Sequence, residues 1–185
     1  LWRPLCPATS ARRGGNGADT DSEQYAPDGY HFDIGHARCT ERCVAECGGC
    51  HSEGESAGLL SPKTYLPNYK EFYEKRWFTS ACDVAENSVR LCGQIIPMGR
   101  DLLFETADTT FGVEICEDLW APIPPSSTLA LQGAEILFNL SADNEGIGKH
   151  NYLRSLISQQ SARCIAGYVF SSCGFRRIHY GCGVC

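Results

Sequence analysis

The chain has 185 residues and a formal net charge of −6, a length that suits one domain and a charge that argues against nucleic acid as a partner. No apolar run approaches the roughly 18 residues of a membrane span, and the N-terminus has no apolar signal region. Twelve cysteines would normally indicate a secreted disulfide scaffold. Most of them lie near the two ends, and those between residues 59 and 175 are compatible with a reduced enzyme, so we expect a cytoplasmic location. These are Cys82, Cys92, Cys116, Cys164 and Cys173.

Residues 1–58 show almost no hydrophobic periodicity and include a Gly/Arg-rich stretch, so we expect them to be irregular. A cysteine and histidine cluster in this segment raises the alternative of a zinc-binding interaction module. The spacing is imperfect and lacks a clear second knuckle, so we expect no metal site. The cluster consists of Cys39, Cys43, Cys47, Cys50 and His51, and Cys182 and Cys185 lie near the C-terminus.

A lysine between two prolines follows this segment. Lys63 comes after the apolar pair Leu59-Leu60 and lies between Pro62 and Pro67. Prolines restrict the chain to an extended, turn-rich path, so a lysine there has few rotamers to search and suits a fixed cation. A lone lysine, however, most often lies on the surface.

The next motif is a cysteine at the end of an apolar stretch. Phe111, Val113 and Ile115 alternate with other residues and lead to Cys116, which opens an acidic, aromatic turn. This pattern predicts a strand that carries a nucleophile to the rim of a sheet. A thiolate attacks carbonyls, so the cysteine needs a base or a positive charge nearby, and turning N–H groups can form an oxyanion hole. A buried structural cysteine is the alternative interpretation.

The remaining elements alternate between helix and strand. A helix ends at Gly133, which predicts a C-terminal cap, and a buried strand follows over 136–140. A polar loop over 144–149 precedes a helix over 152–164 and a strand over 165–171. The order predicts an α/β layered domain. The apolar positions of the second helix are Leu153, Leu156, Ile157 and Ala162.

Four motifs together resemble the glutaminase domain of the glutamine-dependent NAD synthetases, in the nitrilase (carbon–nitrogen hydrolase) superfamily. They read PKTYLPNYKEFYEKRWF, GVEICEDLW, ALQGAEILFNLSA and RSLISQQSARC. The resemblance is strongest to the bacterial members. It implies a partial nitrilase-type α–β–β–α sandwich over 59–175, between an irregular segment over 1–58 and an irregular tail over 176–185.

The resemblance also implies site roles. Cys116 matches the nucleophile, and Lys63 matches the cation that stabilises the oxyanion together with the backbone N–H of Glu117. Glu74 matches a supporting carboxylate near the lysine, although a solvated charge on a helix explains it equally well. The residues implied to bind glutamine are Tyr69, Glu117, Asp143 and Lys149.

The implied reaction is glutamine amide hydrolysis through a thioester on Cys116. In the family a second domain uses ATP and the released ammonia to amidate deamido-NAD, and its members are often homo-oligomeric. We expect no cofactor in this chain, because ATP and Mg belong to that synthetase domain. A stand-alone nitrilase-type amidase and a non-catalytic pseudoenzyme or failed translation product are the alternatives.

The family mechanism also uses a glutamate base that closes an early apolar strand ahead of the lysine. We expect no such strand before Leu59 and assign the base to no carboxylate there, so we predict weak activity and marginal stability. With one choice of synonymous codons, residues 46–58 and 176–185 can be translated back into a nucleotide sequence. When that sequence is read with the frame shifted by one base, it encodes residues that resemble the family. We therefore hypothesise that both ends are translated out of frame, which sequencing the gene would test.

Overall fold

A computed structural model describes residues 3–4, 30–38, 44–52, 59–91, 94–106, 108–144 and 146–172, with side chains in 60–90, 95–106, 108–144 and 146–172. The strands are β1 (Arg3–Pro4), β2 (Tyr30–Arg38), β3 (Val44–Ser52), β4 (Leu59–Pro62), β5 (Ser88–Leu91), β6 (Gln94–Pro97), β7 (Phe104–Glu105), β8 (Thr110–Ile115), β9 (Ile136–Ser141) and β10 (Gly167–Ser172). The α-helices are α1 (Pro125–Leu131) and α2 (Lys149–Cys164), and 3₁₀ turns cover Glu74–Arg76 and Cys116–Trp120.

A sheet in the order β10-β9-β8-β7 organises the site. Strands β8, β9 and β10 are parallel, and β7 is antiparallel to β8. Helix α1 connects β8 to β9, and α2 connects β9 to β10. Parallel strands need such crossover connections, so the predicted α/β class is confirmed.

Both faces of this sheet are covered by apolar packing. One face holds a cluster of Phe104, Phe111, Val113 and Leu140. Leu129, Ala134, Leu137 and Ala166 form a second cluster, which includes a residue of α1. The sequence predicted both strands, β8 from its apolar alternation and β9 from its largely continuous apolar run.

Two glycines allow α1 to pack as it does. A Cβ on Gly112 would lie 2.8 Å from Cδ1 of Leu129, so only glycine lets the helix approach β8 this closely. Gly133 has a φ of +111°, a conformation that favours glycine, and it follows the last residues of α1 as the predicted cap.

Helix α2 differs from its prediction at both ends. It begins at Lys149, inside the segment predicted as a loop, because Gly148 turns the chain with a φ of 81°. It ends with Ile165 in the left-handed conformation, so β10 begins at Gly167 rather than at 165. The expected apolar face is incomplete, since Ala162 is exposed and the buried residue of α2 is Gln160.

Strands before Leu59 are the main difference from the expectation of an irregular segment. Strands β2 and β3 pair antiparallel, and β3 pairs antiparallel with β4 in a sheet of order β1-β2-β3-β4. The sequence carries a signal for β2, because Tyr30, Phe32 and Ile34 alternate with polar or small residues. The segment 176–185 lies outside the described residues, as do the side chains of the cysteine cluster within 39–51.

Candidate functional site

The lysine segment and the cysteine segment come together where β4 and β8 end. The hydroxyl of Ser61 in β4 donates to the backbone carbonyl of Val113 in β8 at 2.9 Å. Lys63 follows β4 directly, and Cys116 follows β8 directly. Fifty-two residues separate the bonded pair in sequence, so the fold brings together the two motifs that the sequence singled out.

Cys116 lies on a strained turn between strand and helix. Its φ is 47°, and it is the first residue of the 3₁₀ turn Cys116–Trp120. A left-handed backbone is uncommon for a residue other than glycine, and such strain often accompanies reactive positions. The first N–H groups of a helical turn have no partner within the turn, so this geometry suits an oxyanion hole that includes the N–H of Glu117.

Lys63 is buried and ion-paired. Its side chain is 1% exposed, and its Nζ donates to Oε2 of Glu74 at 2.6 Å. Glu74 is 18% exposed and opens the 3₁₀ turn Glu74–Arg76. A buried ammonium needs such a partner, because desolvation penalises an isolated charge. The structure thus disagrees with the surface interpretation of Lys63 and places Glu74 against it.

Opposing effects act on the Cys116 thiol. Burial raises its pKa, whereas the nearby Lys63 ammonium, the Ser141 hydroxyl and the backbone of Ala142 lower it. The Asp143 carboxylate raises the pKa further. Lys63 is therefore the cation that favours the thiolate, and Ser141 and Ala142, at the end of β9 and directly after it, favour it as well.

Tyr69 and Glu117 form the next pair. The Tyr69 hydroxyl donates to Oε1 of Glu117 at 2.9 Å. Burial and this carboxylate raise the pKa of Tyr69 to about 12. Burial also raises the pKa of Glu117, against the effects of the Tyr69 hydrogen bond and the Lys63 charge. Glu117 is thus close enough to Lys63 to respond to its charge.

Asp143 and Lys149 form a second charged pair at the same site. Lys149 Nζ lies 2.6 Å from Oδ1 of Asp143 and 2.7 Å from Oδ1 of Asn144. It also lies 5.2 Å from the ring centroid of Trp120, over that ring. Oδ2 of Asp143 is buried and has no hydrogen-bond partner in the structure. A buried acceptor without a partner is available to a ligand.

A cleft of about 490 Å³ adjoins Tyr69, Glu117 and Trp120, whereas Cys116, Lys63 and Asp143 are not among the residues that line it. The seven predicted site residues are linked to one another by the ion pairs, hydrogen bonds and charge interactions described above. They are Lys63, Tyr69, Glu74, Cys116, Glu117, Asp143 and Lys149.

Two buried carboxylates were not identified from the sequence. Asp118 accepts the backbone N–H groups of Tyr65 and Ile115, at 2.8 and 3.0 Å. Glu114 accepts the N–H of Ser126 at 2.8 Å. The sequence shows that both acidic residues lie within two positions of the cysteine. It does not show their burial, because most of the donors that bind them come from other segments.

Among the described side chains, no group of three or more His, Cys, Asp and Glu residues could hold a metal ion. The same part of the structure contains no helix long and apolar enough to cross a membrane. Cys82, Cys116 and Cys164 are free thiols.

Sequence comparison relates this site to known enzymes. A glutamine-dependent NAD(+) synthetase of Mycobacterium tuberculosis is 43% identical over 116 residues, which cover 61% of this chain and 17% of the relative. This part of the chain is therefore similar to one part of a glutamine-dependent NAD(+) synthetase. The human protein of that name is 30% identical over 139 residues, covering 68% of this chain and 20% of its own length. The chain thus spans about a fifth or less of these relatives, and no family model matches it.

Solved structures identify the fold. A glutamine-dependent NAD(+) synthetase of Cytophaga hutchinsonii superposes with a TM-score of 0.65 at 24% identity, covering 77% of this chain and 22% of that one. Nit3 of Saccharomyces cerevisiae, a nitrilase-superfamily member, gives 0.56 at 14% identity and covers 80% and 47%. An amidase of Nesterenkonia sp. AN1, with acrylamide added at its active-site cysteine, gives 0.57 at 12% identity and covers 78% and 49%. The chain therefore has a partial nitrilase-superfamily fold.

Proposed function

We propose that the site around Cys116 hydrolyses the side-chain amide of glutamine. The observation that carries this proposal is the buried ammonium of Lys63, held by Glu74 close enough to lower the pKa of the Cys116 thiol. The homologous NAD(+) synthetases are named for their dependence on glutamine, which supports this substrate. The neighbouring amidase fold, with its reactive active-site cysteine, supports the same chemistry.

Attack by the Cys116 sulfur forms a bond to the amide carbon and moves negative charge onto the carbonyl oxygen. The Lys63 ammonium and the N–H of Glu117 would stabilise that oxyanion. The carbon–nitrogen bond then breaks, the nitrogen takes up the proton that the thiol gave up and leaves as ammonia, and a thioester remains. Water adds to the thioester, the sulfur leaves, and glutamate is released.

The charged pairs suit the two ends of a free amino acid. Glu117 and the unpartnered Oδ2 of Asp143 can accept hydrogen bonds from the α-ammonium. Lys149, held by Asp143 and over the ring of Trp120, can bind the α-carboxylate. Tyr69 holds Glu117 in place through its hydroxyl. An apolar nitrile or amide would leave the buried Oδ2 of Asp143 without a partner, which favours glutamine over the substrates of a stand-alone amidase.

We further propose the cellular role of the relatives' glutaminase: the ammonia serves a synthetase domain that uses ATP and Mg to amidate deamido-NAD in the cytoplasm, in a homo-oligomer. The second candidate function is a non-enzymatic zinc-binding module, which would use the cysteines and histidine between Cys39 and His51. Zinc analysis of the purified protein would decide between them, because a stoichiometric zinc content would favour the module.

The direct test is ammonia release from glutamine, measured for the wild type and for Cys116→Ala. We expect a weak rate that the substitution abolishes, because we assign the general base to no residue. Asparagine, which is one methylene shorter, serves as the substrate control and should react more slowly. An equal rate in the Cys116→Ala protein would contradict the proposed function.

A further inference from the structure

One buried carboxylate joins the two catalytic segments. The side chain of Asp118 is 1% exposed and lies in the cysteine segment, within the turn Cys116–Trp120. Its Oδ1 accepts the N–H of Tyr65 at 2.8 Å and that of Thr64 at 3.1 Å. Its Oδ2 accepts the N–H of Ile115 at 3.0 Å. Hydrogen bonds from N–H groups to a carboxylate are stronger than those to a neutral acceptor.

The three N–H donors belong to residues within two positions of Lys63 or Cys116. Thr64 and Tyr65 follow Lys63 directly, and Ile115 precedes Cys116 directly. The same carboxylate thus holds the backbone beside the cation and the backbone beside the nucleophile, across 53 to 54 residues of sequence. It also accepts the N–H of Ile115, the residue at the start of its own turn, and so holds the backbone that leads into the left-handed conformation of Cys116.

We propose that Asp118 is a positioning residue that keeps the Lys63 ammonium beside the Cys116 sulfur. It touches no reacting atom and acts by holding both backbone segments. The consequence for catalysis rests on the proposed function, whereas the effect on the thiol can be measured without glutamine.

The pKa of Asp118 determines the pH at which the proposal should be tested. Burial raises its pKa to about 7, although hydrogen bonds from Ile115 and Tyr65 lower it. The charge of Glu114 also raises this pKa, and that of Lys63 lowers it. At pH 8 and above the carboxylate is mostly ionised and can accept all three N–H groups, so catalytic assays belong there.

Asp118→Asn keeps the size of the side chain but turns an NH₂ group toward N–H donors. Ser61→Ala is the matched control, because it also removes a buried hydrogen bond between the same two segments, from the hydroxyl to Val113 at 2.9 Å. The probe is iodoacetamide, and the rate of alkylation of the Cys116 peptide is followed by mass spectrometry across pH. This readout separates Cys116 from the other cysteines.

We expect the thiol pKa of Cys116 to rise by about one unit in Asp118→Asn and to stay unchanged in Ser61→Ala. The sign discriminates between explanations, because loss of a nearby negative charge alone would lower the thiol pKa. A rise therefore reports that Lys63 has moved. With glutamine, kcat should fall about 100-fold while KM changes much less, as expected for misplacement by about 1 Å.

A folded Asp118→Asn protein with an unchanged or lowered thiol pKa would overturn the proposal, and so would an equal rise in Ser61→Ala. Asp118→Glu is the second variant, since it keeps the charge and should show a smaller rise. If neither Asp118 variant folds at pH 8, the residue is structural and the positioning role is wrong. If the wild type does not hydrolyse glutamine but the thiol pKa still rises, the proposed function fails and the positioning role stands.

Discussion

The carboxylate of Glu114 lies in β8, two residues before Cys116, and is hydrogen-bonded to neighbouring elements. Replacing it tests how much this buried polar network stabilises the protein. The side chain is 2% exposed and accepts hydrogen bonds from three donors. These are the N–H of Ser126 at 2.8 Å, Nδ2 of Asn139 at 3.3 Å and the hydroxyl of Tyr168. The donors belong to α1, β9 and β10, so this one residue in β8 connects three neighbouring elements.

The structure sets the magnitude for two substitutions. Glu114→Ala leaves the Ser126 N–H and the Tyr168 hydroxyl without this acceptor, each costing about 1–3 kcal/mol, and leaves Asn139 Nδ2 with its longer bond to the Cys116 carbonyl at 3.5 Å. Burial raises the pKa of Glu114, so removal of the carboxyl recovers part of that desolvation cost. We therefore expect a net loss of about 3–5 kcal/mol from the free energy of unfolding. Glu114→Gln keeps the oxygen that faces Asn139 and Tyr168, and should lose about 1–3 kcal/mol at the Ser126 N–H.

Urea unfolding followed by circular dichroism measures these losses. Glu135→Gln is the matched control, because Glu135 is exposed and its bond comes from the Thr109 hydroxyl, so its loss should stay within about 0.5 kcal/mol. A double-mutant cycle with Tyr168→Phe should give a coupling of about 0.5–3 kcal/mol. A Glu114→Gln protein as stable as Glu135→Gln would refute this account of the network.

Three further predictions follow from the same contacts. Lys63→Met should raise the thiol pKa of Cys116 by about one unit and slow glutamine hydrolysis at least about 100-fold, and unchanged alkylation rates across pH would contradict this. Gly112→Ala should cost about 1–3 kcal/mol of urea stability, because its Cβ would lie 2.8 Å from Leu129, and an unchanged midpoint would show that α1 shifts freely. Burial raises the pKa of Asp118 to about 7 from about 3.9 in the unfolded chain, so its contribution to stability is full below about pH 4 and is lost as the pH rises through 7. Thermal unfolding should show the wild type losing stability relative to Asp118→Asn over that range, and a constant difference would contradict the shift.

Local patterns predicted the elements that carry the site. The apolar alternation before Cys116 predicted β8, and Gly133 predicted the end of a helix, because both signals lie within a few residues. The structure ends α1 at Leu131, two residues before Gly133, which has a positive φ. The resemblance selected Lys63, and the structure places it beside Cys116 with Glu74 as its partner. Local sequence patterns do not predict which distant residues pair, so this prediction depended on the motif resemblance alone.

The tertiary hydrogen bonds could not be predicted in the same way. Nothing local distinguishes Asp118 from Glu117, yet one binds backbone donors about 50 residues away and the other binds a tyrosine hydroxyl. Gln160 was not among the positions of α2 predicted to face the core, but it is buried and donates to the hydroxyl of Ser126. Strand β2 was missed for another reason: its alternation was visible, but the polar, glycine-rich composition around it outweighed that signal.

In the proposed reaction, Cys116 forms a thioester with the glutamyl group of glutamine. Hydroxylamine intercepts such a thioester more readily than water does, because it is the stronger nucleophile. Incubation of the full chain with glutamine and hydroxylamine should therefore yield γ-glutamyl hydroxamate, at a rate above that of glutamate formation in water alone, and Cys116→Ala should yield none. Hydroxamate formation that is equal in the Cys116→Ala protein, or its complete absence from the folded wild type, would contradict the claim.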